Sequence, residues 1–142
     1  MARPLTDADY RRLLMFRTGL RRFEHWSQAR AADVDLTAAQ HQLILAIRGH
    51  LDDRGPTIGD VAEYLQLRHH SVVGLVDRAV TAGLVRRVAD SSDARVVRLS
   101  LTPTARRRLK SLAAAHLEEL SRLAPELQAV WRGLEAARSE RP

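Results

Sequence analysis

Apolar residues along the chain follow two periods. Six runs carry them at helical intervals and two carry them in alternation. In the first helical run, Tyr10, Leu13, Leu14, Leu20, Phe23 and Trp26 follow Leu5-Thr6-Asp7, where Thr6 is placed to cap a helix. The second has Thr37 three residues before Gln40, the spacing of a capping box, and then Leu43, Ile44, Ile47 and Leu51. It should stop at Asp52-Asp53-Arg54-Gly55-Pro56, with a turn or short strand beyond. Thr57 opens a third, short run with Ile58, Val61, Ala62 and Leu65 on one face and Asp60 in the first turn, where a carboxylate suits the helix dipole. After Gln66-Leu67-Arg68 a fourth run, residues 69–82, places Val72, Leu75, Val76, Ala79 and Val80 together, with Gly83 as its stop.

The alternating runs are residues 84–88 and 95–101, rich in β-branched residues and separated by the polar stretch Ala89-Asp90-Ser91-Ser92-Asp93-Ala94, which predicts a hairpin. Thr102-Pro103 then supplies an N-cap and a proline at the first helical position. Beyond it Leu109, Ala113, His116, Leu120, Leu123, Leu127, Val130 and Leu134 repeat at four- and three-residue spacings. Because proline removes a helical hydrogen bond, Pro125 predicts two helices sharing this stripe, about 103–123 and 126–138. An apolar stripe of that length needs a partner.

The element order is helix-helix-helix-helix-strand-strand-helix-helix. This is a mainly α, winged helix-turn-helix arrangement, in which the second helix of the motif suits the major groove and the wing reaches sideways. Three segments are expected: an N-terminal dimerisation helix (1–36), a DNA-binding lobe (37–102) and C-terminal dimerisation helices (103–142).

Charge sharpens the picture. The 142 residues carry 23 cationic side chains, 22 of them Arg, against 17 acids, a net +6. Residues 68–110 hold ten cations (Arg68, Arg78, Arg86, Arg87, Arg95, Arg98, Arg106, Arg107, Arg108, Lys110) against Asp77, Asp90 and Asp93, a net +7 that leaves −1 for the rest. The whole excess lies in the stretch expected to form the second helix and wing, which points to a polyanionic partner. The length suits one compact unit that buries roughly two-thirds of its unfolded surface. No run approaches the ~20 apolar residues of a membrane span, and the start lacks the apolar stretch of a secretory signal, so a cytoplasmic protein with no membrane partner is expected. Cysteine is absent, which removes disulfides, thiolate chemistry and Cys-ligated zinc, and no His-x-x-x-His pair exists; neither metal nor cofactor is expected.

The stretch Leu67-Arg68-His69-His70-Ser71-Val72-Val73-Gly74-Leu75-Val76-Asp77-Arg78, with Ala82-Gly83-Leu84-Val85, resembles the MarR-type winged-helix regulators. Asp90-Ser91-Ser92-Asp93-Ala94-Arg95 is similar to that family's Asp-x-x-Asp-x-Arg wing, and Leu99-Ser100-Leu101-Thr102 to its step into the long helix. The resemblance covers about 37–110. It implies a homodimeric transcriptional regulator on a pseudo-palindromic operator, usually repressing and often released by a small anionic or phenolic ligand. Dimerisation also follows from geometry: a two-fold pair sets its reading helices one DNA turn apart, roughly 34 Å, and the terminal helices carry the spare apolar surface.

The candidate DNA contacts are Arg68, His69, His70, Ser71, Val73, Gly74, Arg78, Arg86, Arg95 and Arg98. His69, His70 and Ser71 fall in the first turn of the reading helix, and a capping role competes for the histidines. Val73 is placed to meet a thymine methyl. Gly74 costs about 1 kcal/mol inside a helix, explained either by close approach to the groove or by packing; the family commonly has a larger polar residue here. Arg78, Arg86 and Arg98 suit phosphates, or else pair with Asp77 or Asp90. Arg95 closes the wing, where a guanidinium suits a narrow minor groove and Asp93 would orient it. From the family's ligand position, His25, Trp26 and His41 are candidates for a small aromatic or anionic effector, with core packing the competing reading. No nucleophile elbow, phosphate loop or zinc-protease motif is present, and His70, Ser71 and Asp77 on one helix do not make a triad, so no catalytic residues and no enzyme are expected. The rival function is a non-specific architectural DNA-binding protein, since basic charge alone gives affinity without sequence reading.

Overall fold

The computed structural model describes residues 4–139. Seven elements follow one another: α1 (Asp7–Asp33), α2 (Ala38–Gly49), α3 (Ile58–Leu65), α4 (His69–Thr81), β1 (Val85–Ala89), β2 (Val97–Leu101) and α5 (Pro103–Ser139). The first three helices start at reciprocal hydrogen-bond pairs. The Thr6 N–H donates to Asp9 Oδ2 (2.8 Å) and the Asp9 N–H to Thr6 Oγ1 (3.4 Å). Thr37 and Gln40 exchange the same pair at 3.0 and 3.1 Å, and Thr57 and Asp60 at 2.9 and 3.2 Å.

At the end of α4 the Leu84 N–H donates to Ala79 O (2.9 Å) and the Gly83 N–H to Val80 O (3.0 Å), with Gly83 at φ +74°. This is a Schellman closure, and it requires the left-handed residue that glycine supplies without strain. Thr102 ties the start of α5 to the same turn. Its hydroxyl donates to Gly83 O (2.6 Å) and accepts from the Ala105 N–H (3.2 Å), while its N–H donates to Leu84 O (3.0 Å). The wing is the antiparallel pair β1–β2, with Val85 opposite Leu101 and Ala89 opposite Val97. Between α2 and α3 the chain makes a turn rather than a strand, joined to β2 by one backbone bond, from the Leu99 N–H to Pro56 O (2.9 Å).

One expectation is corrected. Pro125 lies inside α5, so one 37-residue helix stands where two were expected, and the described residues contain five helices. Proline removes one N–H from the ladder and crowds one carbonyl. The loss is local, and its neighbours Leu123, Ala124, Glu126, Leu127 and Gln128 favour helix. The stripe across Pro125 also keeps one helical phase, which only an unbroken rotation preserves.

Backbone contacts gather Arg30–Ala113 into one unit and the described parts of Met1–Ala29 and Ala114–Pro142 into another. The core of the first unit is Leu43 and Ile44 of α2, Val61 of α3, Val72 and Val76 of α4, and Leu84, Val85 and Leu99 of the wing base, all essentially without solvent contact. Leu109 and Leu112 of α5 close it. In the other unit Phe23 stacks on Trp26 (centroids 6.0 Å), His116 meets Trp26 edge-on (4.8 Å), and Ser27 Oγ shares a 2.7 Å hydrogen bond with His116 Nε2. Leu13, Leu14, Met15, Leu117 and Trp131 of this unit are exposed. No helix among the described residues is long and apolar enough to cross a membrane.

Candidate nucleic-acid interface

α3 and α4 form the helix-turn-helix, joined through Gln66, whose left-handed backbone (φ 54°) turns the chain in a few residues. Val72, Leu75, Val76 and Ala79 anchor α4 on the core. With that face buried, Arg68, His69, His70, Ser71, Asp77 and Arg78 are exposed, and Val73 and Gly74 are half-buried. Arg68 is the N-cap of α4 and makes no side-chain capping bond, and both histidines fall inside the first turn rather than at the cap. A Cβ at Gly74 would meet only Arg78 Nη1, at 3.3 Å. Arg78 therefore lies back along the helix over Gly74, as long helical side chains do.

The wing tip is built on two carboxylates. Asp90, with its side chain 5% exposed, accepts the Ser92 and Asp93 N–H groups at Oδ2 (both 3.1 Å) and Arg98 Nε at Oδ1 (3.1 Å). Burial works against its ionisation, but the two backbone donors and the Arg98 guanidinium outweigh that and hold its pKa below the usual carboxylate value. Asp93 in turn forks Arg95, taking Nε at Oδ1 and Nη2 at Oδ2 (both 3.1 Å) and the Arg95 N–H at 3.0 Å, and these bonds lower its pKa. Two of the five guanidinium N–H groups of Arg95 are thus used. The other three project outward on a side chain that is 89% exposed. Arg95, Val96 and Val97 line a cleft of about 360 Å³ with His69 and the Thr57-Ile58-Gly59 start of α3, so the wing tip and the head of α4 share one surface.

A family model described as the MarR family matches residues 34–96, the span from the turn before α2 to the wing loop. Residues 34–96 thus match a MarR-family winged helix. Three solved structures are similar to the chain as a whole. A MarR family transcription regulator is 20% identical, with a TM-score of 0.75, over 94% of this chain and 89% of that one. The MepR–DNA complex from S. aureus is 20% identical, with a TM-score of 0.70, over 96% and 98%. The M. tuberculosis regulator MosR in complex with DNA is 20% identical, with a TM-score of 0.60, over 92% and 98%. At these identities the likeness is one of fold. No curated protein matches.

On this winged-helix scaffold the candidate residues separate. Arg68, His69, His70, Ser71, Val73, Gly74 and Arg78 lie along the non-core side of α4, and Arg95 stands at the wing tip. Arg86 is exposed on β1, where it borders a cleft with Arg107 and Thr104. Arg98 takes the surface-pair alternative: its Nε is on Asp90, its Nη1 on Gly55 O (3.2 Å), and its side chain is 15% exposed. It fastens the wing to the loop after α2. Of the effector candidates, His25 is exposed, Trp26 packs on Phe23 and His116, and His41 is buried in α2, within the Arg30–Ala113 unit.

Sequence reasoning missed Arg87, which pairs with Asp77 across from β1 to α4, and Gly55, whose backbone at φ 90° passes Leu99 O. The Gly-Pro step signalled the second, whereas nothing local distinguishes Arg87 from Arg86.

Because Asp90 has a lowered folded-state pKa, its contribution to stability is complete above the unfolded carboxylate value near 4 and fades as pH falls through the folded one. Asp90→Asn is therefore expected to melt below the parent at pH 7, with the gap holding down to about pH 4 and narrowing as the pH falls further and the parent carboxyl takes up its proton. Thermal melts across that range check it, and a gap independent of pH would count against the charge as its source.

Proposed function

We propose that this chain is a transcriptional regulator that reads a pseudo-palindromic operator as a homodimer, represses from it and is released by a small aromatic or anionic effector. The observation that carries the reading is that the one cationic stretch of sequence folds into the reading helix, the wing and the start of α5. Every cation in it except Arg98 and Arg108 is exposed. Residues 37–102 then serve as the DNA-reading lobe, and 1–36 with 103–142 pair two copies, which would cover the exposed apolar side chains of α1 and α5. Two relatives of the same fold were solved bound to DNA, which supports the polyanion being a duplex. Trp26 is the effector contact of this reading, and its fluorescence would report occupancy.

Within it Arg78 holds a phosphate. Arg78→Ala should weaken binding by a similar factor on every duplex and reduce the salt slope by about one; a loss confined to particular sequences would make Arg78 a base reader instead. The function is tested by fluorescence anisotropy competition at physiological salt between fragments selected from the host genome and random duplex. Selected fragments should bind about 10³-fold tighter or more. Equal binding would contradict the proposal and leave the architectural role.

A further inference from the structure

We infer that Asp77 selects an amino-bearing base, cytosine by preference, at one position of each half-site, with Arg87 positioning its carboxylate. The inference rests on the DNA-reading role proposed above. Asp77 stands seven residues after His70, four after Val73 and three after Gly74, on the same side of α4, away from the buried Val72, Leu75, Val76 and Ala79. Its side chain is 59% exposed. A carboxylate turned toward a phosphate polyanion is repelled unless its charge is compensated, and Arg87 compensates it from β1 through Oδ1. Among the described residues no bond occupies Oδ2. The pair thus presents an oriented acceptor with little net charge.

Asp is a short side chain, so the helix must lie close for it to reach a base. Ser71 favours that closeness, since its side chain is no bulkier than a hydroxymethyl, and Gly74 adds no side chain of its own beneath Arg78. In the major groove the available donors are cytosine N4 and adenine N6, whereas guanine and thymine present acceptors that repel a carboxylate. Adenine N7, an acceptor beside N6, opposes the second carboxylate oxygen. Cytosine has no such neighbour and is favoured.

Binding-site selection from a randomised duplex pool, run with the full chain and with Asp77→Asn, Asp77→Ala and Arg87→Ala, tests this position by position. The parent pool should carry cytosine about tenfold above its competitors at one symmetric position per half-site. Asp77→Asn, nearly isosteric, should shift that position toward adenine. Asp77→Ala should erase its preference and Arg87→Ala blur it, all other positions being kept. A motif whose every position survives both Asp77 substitutions, with only a uniform change in affinity, would overturn the inference and leave the regulator standing. A parent pool with no motif at all would overturn the DNA-reading proposal itself.

Discussion

Gly55→Ala is expected to lower Tm by roughly 10 °C. Gly55 sits at φ 90°, and a Cβ there would lie 2.2 Å from Leu99 O, a backbone atom of the wing. Neither partner is a flexible side chain that could swing aside. Alanine at such a φ costs about 1–3 kcal/mol, and relieving the clash means parting Pro56 O from the Leu99 N–H and Gly55 O from Arg98, bonds worth about 1 kcal/mol each. A loss of about 3 kcal/mol corresponds to roughly 10 °C for a chain of this size. Gly49→Ala is the control: nothing lies within 4 Å of its Cβ position at the end of α2, so Tm should hold or rise slightly. Equal melting of the two variants would show that the α2–α3 loop does not brace the wing.

Arg95→Ala is expected to reduce affinity for selected DNA by about 10–100-fold, the range of one well-formed specific contact. The fork on Asp93 holds the guanidinium in one orientation with three donors outward, so little ordering remains for the complex to impose. A planar cation held this way suits the narrow, strongly negative minor groove of A·T-rich DNA. The loss should therefore be larger on duplexes with A·T-rich flanks than on G·C-rich ones. Arg95→Lys, which keeps the charge without the fork, should retain the salt slope but lose most of the flank preference. Titrations of the three proteins on the two duplexes decide it; unchanged affinity on both would remove the wing tip from the interface.

The helix starts were legible because a threonine three residues before Gln or Asp is a complete local arrangement, independent of anything distant. The reading helix was legible for a related reason: Val72, Leu75, Val76 and Ala79 fix which side faces the core, and the remaining positions follow by rotation. Pro125 misled because proline's local cost was weighed above the helix-forming residues around it. The Asp93–Arg95 pair was legible from its spacing, and Asp90 was one of two partners open to Arg98, but the pairing of Arg87 with Asp77 was not legible. Ten cations and three acids allow many pairings, and the choice depends on strand register: with Arg87 opposite Leu99 on the core-facing side of the wing, it and not Arg86 reaches Asp77. A one-residue slip would exchange them. Asp90 likewise depends on a loop fold that presents two N–H groups to it, which spacing alone does not distinguish from a solvated turn.

Two copies of the winged helix reading two half-sites is the claim on which the function depends, and footprinting tests it most directly. Hydroxyl-radical cleavage of a selected genomic fragment, titrated with protein of known concentration, should show two protected patches related by a dyad. Their centres should lie about 10 base pairs apart, with saturation at two chains per site. Uniform protection without sequence register, or saturation at one chain per site, would contradict it.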